Sequence, residues 1–170
     1  DYLTHPFNPD YLNPSAVMAD GKLFPTVSEL TDRGLMVELG HGSSFDWNKA
    51  EAAAAQGWYP DVLSTDMFTR YFRPKGVVGD LGSVMSKFMM LGLNLNQVIE
   101  KTTIAPVRMA AIPEALGTLK IGAIADITVM EQIKGRFVYT DSPRLKATRI
   151  GSEKLTAVAT VKSGRLLELA

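Results

Sequence analysis

Three side chains that can bind a metal or move a proton lie at the ends of three predicted strands. The chain has two histidines, and His5 and His41 each come just past a short strand-like segment. Asp66 ends a third segment of this kind. Because ligands of parallel α/β folds bind at the carboxyl ends of strands, we expect these three side chains to share one site.

Imidazole nitrogens and carboxylate oxygens suit a divalent metal, and a carboxylate can also transfer protons. Each residue has a simpler interpretation as well. His5 could be a loop residue, Gly40-His41-Gly42 a tight turn whose glycines serve the backbone, and Asp66 an acceptor for loop amides. Two histidines and one aspartate also fall short of a catalytic zinc site unless all three converge, since zinc takes three protein ligands and a water.

Other polar residues give weaker signals. Arg70 and Arg73 could bind a substrate carboxylate through paired hydrogen bonds, or lie on a surface loop. Lys87 and Lys101 fall on predicted helices and are expected to be solvated. The glycines of residues 76–79 do not form a phosphate loop, because no Lys-Ser/Thr pair follows them.

The first two-thirds of the chain alternates strand and helix, which is typical of a parallel α/β sheet. The predicted strands are residues 2–4, 35–39 and 62–66. Helices are predicted over residues 28–33, 81–91 and 106–111. Two further predicted helices include residues 50–55, with Ser43 or Ser44 as the cap, and residues 95–102. Three strands cannot close a barrel or cover a sheet, so the pattern predicts neighbouring strands outside this sequence.

After Pro113 the pattern changes to short β-branched segments separated by Gly, Pro and Ser. These predicted strands are residues 126–130, 136–139, 146–150 and 157–161. The change indicates an all-β segment and places a domain boundary near residues 112–117. We therefore predict one domain over residues 1–113 and a second over residues 114–170.

The composition excludes several classes of protein. Among 170 residues, 18 Lys and Arg balance 18 Asp and Glu, so no basic field predicts binding to nucleic acid or to an anionic membrane surface. The chain has no cysteine, which excludes disulfides and thiolate metal sites and is typical of a cytoplasmic protein. The first residues do not form a signal peptide, and no apolar run reaches the ~20 residues of a membrane span.

Five segments, in this order and spacing, resemble the amidohydrolase superfamily, in the branch of dihydroorotase-like amidohydrolases and deacetylases. They are Thr4-His5-Pro6-Phe7-Asn8, Gly40-His41-Gly42, Ser64-Thr65-Asp66, Gly117-x-Leu119-x-x-Gly122-x-x-Ala125-Asp126 and Val161-Lys162-Ser163-Gly164-Arg165.

The resemblance implies strands six to eight of a (β/α)8 TIM barrel, followed by part of a small flanking β-sandwich. It implies that His5 binds a metal and that Asp66 is both a metal contact and the catalytic acid/base. His41 would contact substrate or groups behind the ligands. The implied cofactor is one or two divalent metal ions, with zinc expected. The implied activity is hydrolysis of an amide or ester bond in a small acyl compound, or opening of a cyclic amide.

The sequence also departs from the family pattern. Thr103-Ile-Ala-Pro-Val107 stands where the family has Thr-x-Asn-Pro-Ala, and Phe68 stands where many relatives have histidine. The His-x-His of strand one, the bridging lysine of strand four, the strand-five histidine and the first part of the sandwich have no counterpart here.

These absences imply a partner: the missing N-terminal half of the barrel, on the same or another chain. Alone, the 170 residues are expected to be inactive and to aggregate, self-associate as a homo-oligomer or bind that half, because cut sheet edges drive association. The alternative hypothesis is a non-catalytic scaffold or assembly protein that keeps the fold.

Overall fold

A computed structural model of the chain describes residues 1–12, 14–67, 80–112 and 115–167. The α/β part contains β1 (Tyr2–Thr4), α1 (Pro25–Asp32), β2 (Met36–Glu38), α2 (Trp47–Ala55), α3 (Leu81–Met90), α4 (Leu95–Thr102) and α5 (Ile104–Met109). The β part contains β3 (Ile127–Thr140), β4 (Thr148–Lys162) and β5 (Arg165–Leu167).

The parallel arrangement predicted for the first part is present in β1 and β2, which pair in parallel over all three residues of each strand. The third predicted strand is not a regular strand. It pairs with β2 through a single parallel bridge between Glu38 and Val62, supported by the amide of Leu39, which donates to the Val62 carbonyl at 2.9 Å. The amide of Leu63 points away from β2, as alternate amides of a parallel strand do, and donates to the carbonyl of Lys101 at the end of α4.

The predicted helices are present; α3 begins at the predicted residue 81, and three of the others differ from the prediction at their starts. Helix α1 begins at Pro25, earlier than predicted, because proline fits the first turn of a helix. Helix α2 is capped by Asp46, whose side chain accepts from the amide of Asn48 at 2.9 Å, so the serine caps predicted for it are wrong. Helix α5 begins at Ile104, two residues before the predicted Pro106.

The four short strands predicted after residue 125 are in fact one long antiparallel hairpin. Strands β3 and β4 have 14 and 15 residues. The glycines that were interpreted as breaks between strands lie inside these two strands. Gly135 occupies a register shift between Lys134 and Phe137, where a bulge tolerates glycine. Gly151 makes room for a ring, since a Cβ there would lie 2.8 Å from the side chain of Tyr139.

The closing turn between β4 and β5 is tied to the chain just before β3. The carboxylate of Asp126 accepts from the amide of Ser163 at 2.7 Å and also from the ammonium of Lys162. The amide of Gly164 donates to the carbonyl of Ala125 at 3.0 Å. The Ala-Asp pair singled out in the sequence therefore stabilises the closing hairpin, and the predicted pairing of that hairpin is present.

One hydrophobic core joins the α/β part to the hairpin. It includes Phe45, Trp47 and Phe88 together with Tyr139 and Leu155 of the hairpin. The indole of Trp47 donates to the Tyr139 carbonyl at 3.1 Å. The division at residue 113 stays a prediction, because Pro113 and Glu114 lie outside the described residues.

Within the described part of the chain, no helix is both long enough and apolar enough to cross a membrane.

Candidate functional site

The ends of β1 and β2 bring His5 next to the turn Gly40–Gly42. The amide of His5 donates to the Glu38 carbonyl at 3.2 Å. Its imidazole Nδ1 lies 2.8 Å from the carbonyl of Gly40 and donates to it, since a carbonyl can only accept. Nε2 has no hydrogen-bond partner among the described residues, and the side chain is half-buried. An imidazole oriented by a backbone carbonyl with its other nitrogen free is the usual arrangement of a histidine ligand.

Asp66 approaches the same turn from the other side. A Cβ at position 42 would collide with Oδ2 of the Asp66 carboxylate, and a Cβ at position 40 would collide with the His5 imidazole. The two glycines therefore give both side chains close access to one turn, in addition to serving its backbone conformation. The structure brings His5 and Asp66 to opposite flanks of one three-residue segment.

The backbone at this site is unusual at four positions. His5 and Asp66 have φ of 59° and 45°, in the left-handed region that non-glycine residues rarely adopt, and Gly40 and Gly42 have φ of 51° and 28°. A non-glycine residue in this region costs about 1–3 kcal/mol and persists only where its surroundings enforce it. The surroundings of this turn therefore hold both predicted site residues in a strained conformation.

Glu38 is a further residue of this site, and its sequence position did not indicate such a role. Its carboxylate accepts hydrogen bonds from the hydroxyls of Thr4 and Ser64. It also accepts from the amide of Gly40 at 2.9 Å. One carboxylate thus links the ends of β1, β2 and the segment that leads to Asp66. The available signal was a charged residue within an otherwise apolar strand.

His41 lies behind the turn and is completely buried. Its ring stacks on Phe45 with centroids 4.5 Å apart, and its Nε2 lies 2.6 Å from Nζ of Lys87. Burial, followed by the nearby Lys87, lowers the pKa of His41 well below its ordinary value, so the ring is neutral. The prediction that His41 contacts substrate or groups behind the ligands stays a prediction.

The expectation that Lys87 and Lys101 are solvated is wrong. Lys87 is 1% exposed, and burial lowers its pKa to about 7, partly offset by the carboxylate of Asp141. Lys101 is half-buried; it donates to the Pro60 carbonyl at 2.6 Å, and burial lowers its pKa too. Helical periodicity alone placed both lysines on a solvent face, whereas the hairpin and the Pro60 loop cover them.

Asp141 is a second buried charged residue, near enough to Lys87 to affect its pKa. Both oxygens of its carboxylate are buried and have no hydrogen-bond partner within the ranges described above, and burial raises its pKa. The ammonium of Lys87 also donates to the carbonyl of Thr140, the residue before Asp141, at 2.5 Å. The end of β3 therefore meets the back of the candidate site.

The described residues do not form a complete metal site. Among them, no three His, Cys, Asp or Glu side chains lie close enough together to hold a metal ion. His5 and Asp66 can supply one nitrogen and one carboxylate, and a zinc site of the catalytic kind would need at least one further ligand. Phe68, Arg70, Arg73 and residues 76–79 lie outside the described residues.

Comparison with known proteins adds a consistent set of similarities. The model of the amidohydrolase family matches residues 14–167. A deacetylase of Enterococcus faecalis is 32% identical over 169 residues, which covers 99% of this chain and 44% of that protein. A deacetylase of Brucella anthropi is 30% identical over 178 residues, covering 98% of this chain and 43% of that protein.

Two solved structures resemble the whole fold. The crystal structure of an adenine deaminase has a TM-score of 0.91 and 30% identity, covering 99% of this chain and 45% of that one. The crystal structure of a dihydroorotase has a TM-score of 0.82 and 28% identity, covering 98% and 44%. This chain thus spans less than half the length of the proteins that it resembles.

Proposed function

Because this chain belongs to the amidohydrolase family, we propose that it forms part of a metal-dependent hydrolase that cleaves an amide or ester bond of a small acyl compound. The deacetylases among its relatives support this class of reaction. In this proposal the α/β part supplies strands six to eight of a TIM barrel, and the hairpin supplies strands of the flanking β-sandwich. The remaining strands lie on the rest of the same protein or on a partner chain.

The observation that carries the proposal is the convergence of His5 and Asp66 on the turn Gly40–Gly42. His5 directs Nδ1 to the Gly40 carbonyl, which leaves Nε2 as a ligand. Asp66 is exposed, as a residue that must reach both a metal and a substrate has to be. A nitrogen and a carboxylate oxygen are donors that zinc and related divalent ions accept.

A divalent metal bound there would polarise the scissile carbonyl and make water acidic enough to attack near neutral pH. Asp66 takes a proton from the attacking water as the water oxygen bonds to the acyl carbon. As the bond from that carbon to nitrogen or oxygen breaks, Asp66 passes the proton to the leaving atom. One water is consumed, and the products are an acid and an amine or alcohol.

His41 has a different role in this scheme. Its complete burial favours a position behind the ligands over direct contact with substrate. It supports the turn between the two proposed ligands, with its amide bonded to the Ser64 carbonyl at 3.2 Å.

The test uses Asp66→Asn and His5→Ala in the complete protein, with metal content measured by mass spectrometry and steady-state rates measured on N-acyl and O-acyl compounds. Asp66→Asn should lower the rate by about 10²–10⁴ and keep most of the metal, because an amide still offers an oxygen but accepts no proton. His5→Ala should lower both metal content and rate, because it deletes a ligand.

Asp32→Asn is the matched control, since this exposed residue of α1 lies beside Leu35 and Met36 at the start of β2, whereas the turn follows the end of that strand; it should change neither quantity. Near-normal hydrolysis by Asp66→Asn would refute the mechanism. A complete protein that binds no metal and hydrolyses no acyl compound would instead support the alternative of a non-catalytic scaffold.

A further inference from the structure

Lys87 is an unusual choice for its position in the fold. Its side chain is buried in the aromatic core, with Nζ 5.4 Å from the ring centroid of Phe45 and 5.9 Å from that of Trp47. A buried ammonium is costly, and an apolar side chain of similar volume is often as stabilising or more so. Packing alone therefore does not explain why a lysine occupies this buried position. Its hydrogen bonds do explain it.

Those hydrogen bonds join two parts of the chain that are far apart in sequence. Nζ of Lys87 lies 2.6 Å from Nε2 of His41 and 2.5 Å from the carbonyl of Thr140. The carbonyl can only accept, so Lys87 donates to it. Nδ1 of His41 faces the carbonyl of Gly42 at 3.3 Å, so the ring proton is on Nδ1, and Nε2 accepts from Lys87.

Movement of His41 would displace both proposed ligands, His5 and Asp66. Gly40, which precedes His41, holds the imidazole of His5 through its carbonyl. Gly42, which follows it, packs against the carboxylate of Asp66. Because His41 is the central residue of this three-residue turn, a shift or rotation of its ring displaces the surface on which His5 and Asp66 rest.

We infer that Lys87 is a positioning residue that clamps His41 to the end of β3 and so fixes the turn between His5 and Asp66. The clamp itself follows from the contacts of Lys87. Its consequence for metal binding rests on the proposed function. Because Thr140 is the last residue of β3, the hairpin would help to position the site.

The first test observes the His41 ring nitrogens by ¹⁵N NMR in the complete protein, with the signals assigned by their loss in His41→Phe. Wild type should show a protonated Nδ1 and an unprotonated, hydrogen-bonded Nε2. In Lys87→Met the Nε2 signal should move toward that of a free acceptor nitrogen. A wild-type ring protonated at Nε2 would overturn the inference even if Lys87→Met does not fold.

The matched control is Ser86→Ala. Ser86 is the neighbouring residue on α3; it is also buried and also bonds the hairpin, accepting from the amide of Leu155 at 2.9 Å. It should loosen the docking of the hairpin and leave the His41 signals unchanged. Equal shifts in Ser86→Ala and Lys87→Met would mean that general loosening moves His41, and would overturn the specific role of Lys87.

The second test measures the dissociation constant of Zn²⁺ alone by competition with a chromogenic chelator. Lys87→Met should weaken zinc binding about 10- to 100-fold, the range found for residues that orient ligands, and Ser86→Ala should not. An NMR shift without a change in zinc affinity would overturn the positioning role. A wild type that binds no zinc would refute the proposed function. The NMR result would then test only whether Lys87 holds His41 in place.

Discussion

Gly42 lies so close to Asp66 that a methyl group on the glycine would overlap Oδ2 of the carboxylate. The glycine also has φ of 28°, so two separate constraints act at this position. The two constraints can be separated with Gly57, which has φ of 72° but, among the described residues, no atom within 4 Å of the place its Cβ would occupy.

We predict that Gly42→Ala lowers turnover on the order of 10²-fold, because it displaces Asp66 from its place beside the turn. Gly57→Ala should leave turnover unchanged. Each variant should lose about 1–2 kcal/mol of unfolding free energy from the left-handed backbone. Steady-state rates and denaturant unfolding of the complete protein measure both effects. Equal rates in the two variants would show that Asp66 does not depend on the close approach.

The second prediction concerns Glu38, which accepts from Thr4, Ser64 and the amide of Gly40. Glu38→Gln replaces the charged acceptor with a neutral amide, which weakens these hydrogen bonds and makes the Thr4 hydroxyl an acceptor, at a cost of about 1–3 kcal/mol of unfolding free energy. The Gly40 carbonyl then loses its fixed position, and zinc affinity should fall as well. Denaturant unfolding and zinc titration test the two expectations.

Glu29→Gln is the control for the loss of charge, since the Glu29 side chain lies in an exposed ion pair with Arg33 at 3.6 Å. It should change the unfolding free energy by less than about 0.5 kcal/mol. If Glu38→Gln behaves like this control, the carboxylate does not organise the strand ends.

The third prediction separates the closing hairpin from the chemistry. The hydrogen bond from Lys162, and then that from the Ser163 amide, lowers the pKa of Asp126. Any stability that this carboxylate contributes is therefore present above its ordinary pKa and is lost as the pH falls through the lowered value. Asp126→Ala should speed hydrogen exchange at Ser163 and Gly164 and leave turnover unchanged. Protection that survives in the variant would contradict the role of Asp126 in the turn.

Local signals in the sequence were sufficient to predict that His5 and Asp66 lie near each other. A polar residue just past an apolar run suggests the end of a strand, and both residues were chosen in this way; their role as ligands stays a prediction. The burial of Lys87 was missed because its partners, His41 and Thr140, lie 46 and 53 residues away. Helical periodicity describes one helix and carries no information on which distant strand will cover it.

The long hairpin was missed for a related reason. Gly135 and Gly151 resemble breaks when each segment is considered alone, and only the pairing of β3 with β4 shows a bulge at one and a close ring contact at the other. Glu38 was overlooked because its partners Thr4 and Ser64 are distant in sequence. In each case the missing information was a contact between residues far apart in the chain.

The last prediction concerns the pH dependence that Lys87 gives to folding. Burial lowers its pKa from 10.5 to about 7. Between these values the unfolded chain holds a proton at Lys87 that the folded protein does not, so the unfolding free energy rises with pH. This one group contributes at most about 1.4 kcal/mol per pH unit. The cost of burying the charge is thus full below about pH 7 and is relieved as the pH approaches 10.5.

Other groups titrate in the same window, so the measurement is a difference between wild type and Lys87→Met in the complete protein. Denaturant unfolding at several pH values from 7 to 10 gives the unfolding free energy of each. The wild-type value minus that of the variant should rise with pH, because only wild type is relieved of a buried charge. Ser86→Ala, which keeps Lys87, should follow the wild-type slope. A difference that stays flat would mean that Lys87 keeps an ordinary pKa in the folded protein, and that its ammonium remains charged between His41 and Thr140 throughout this range.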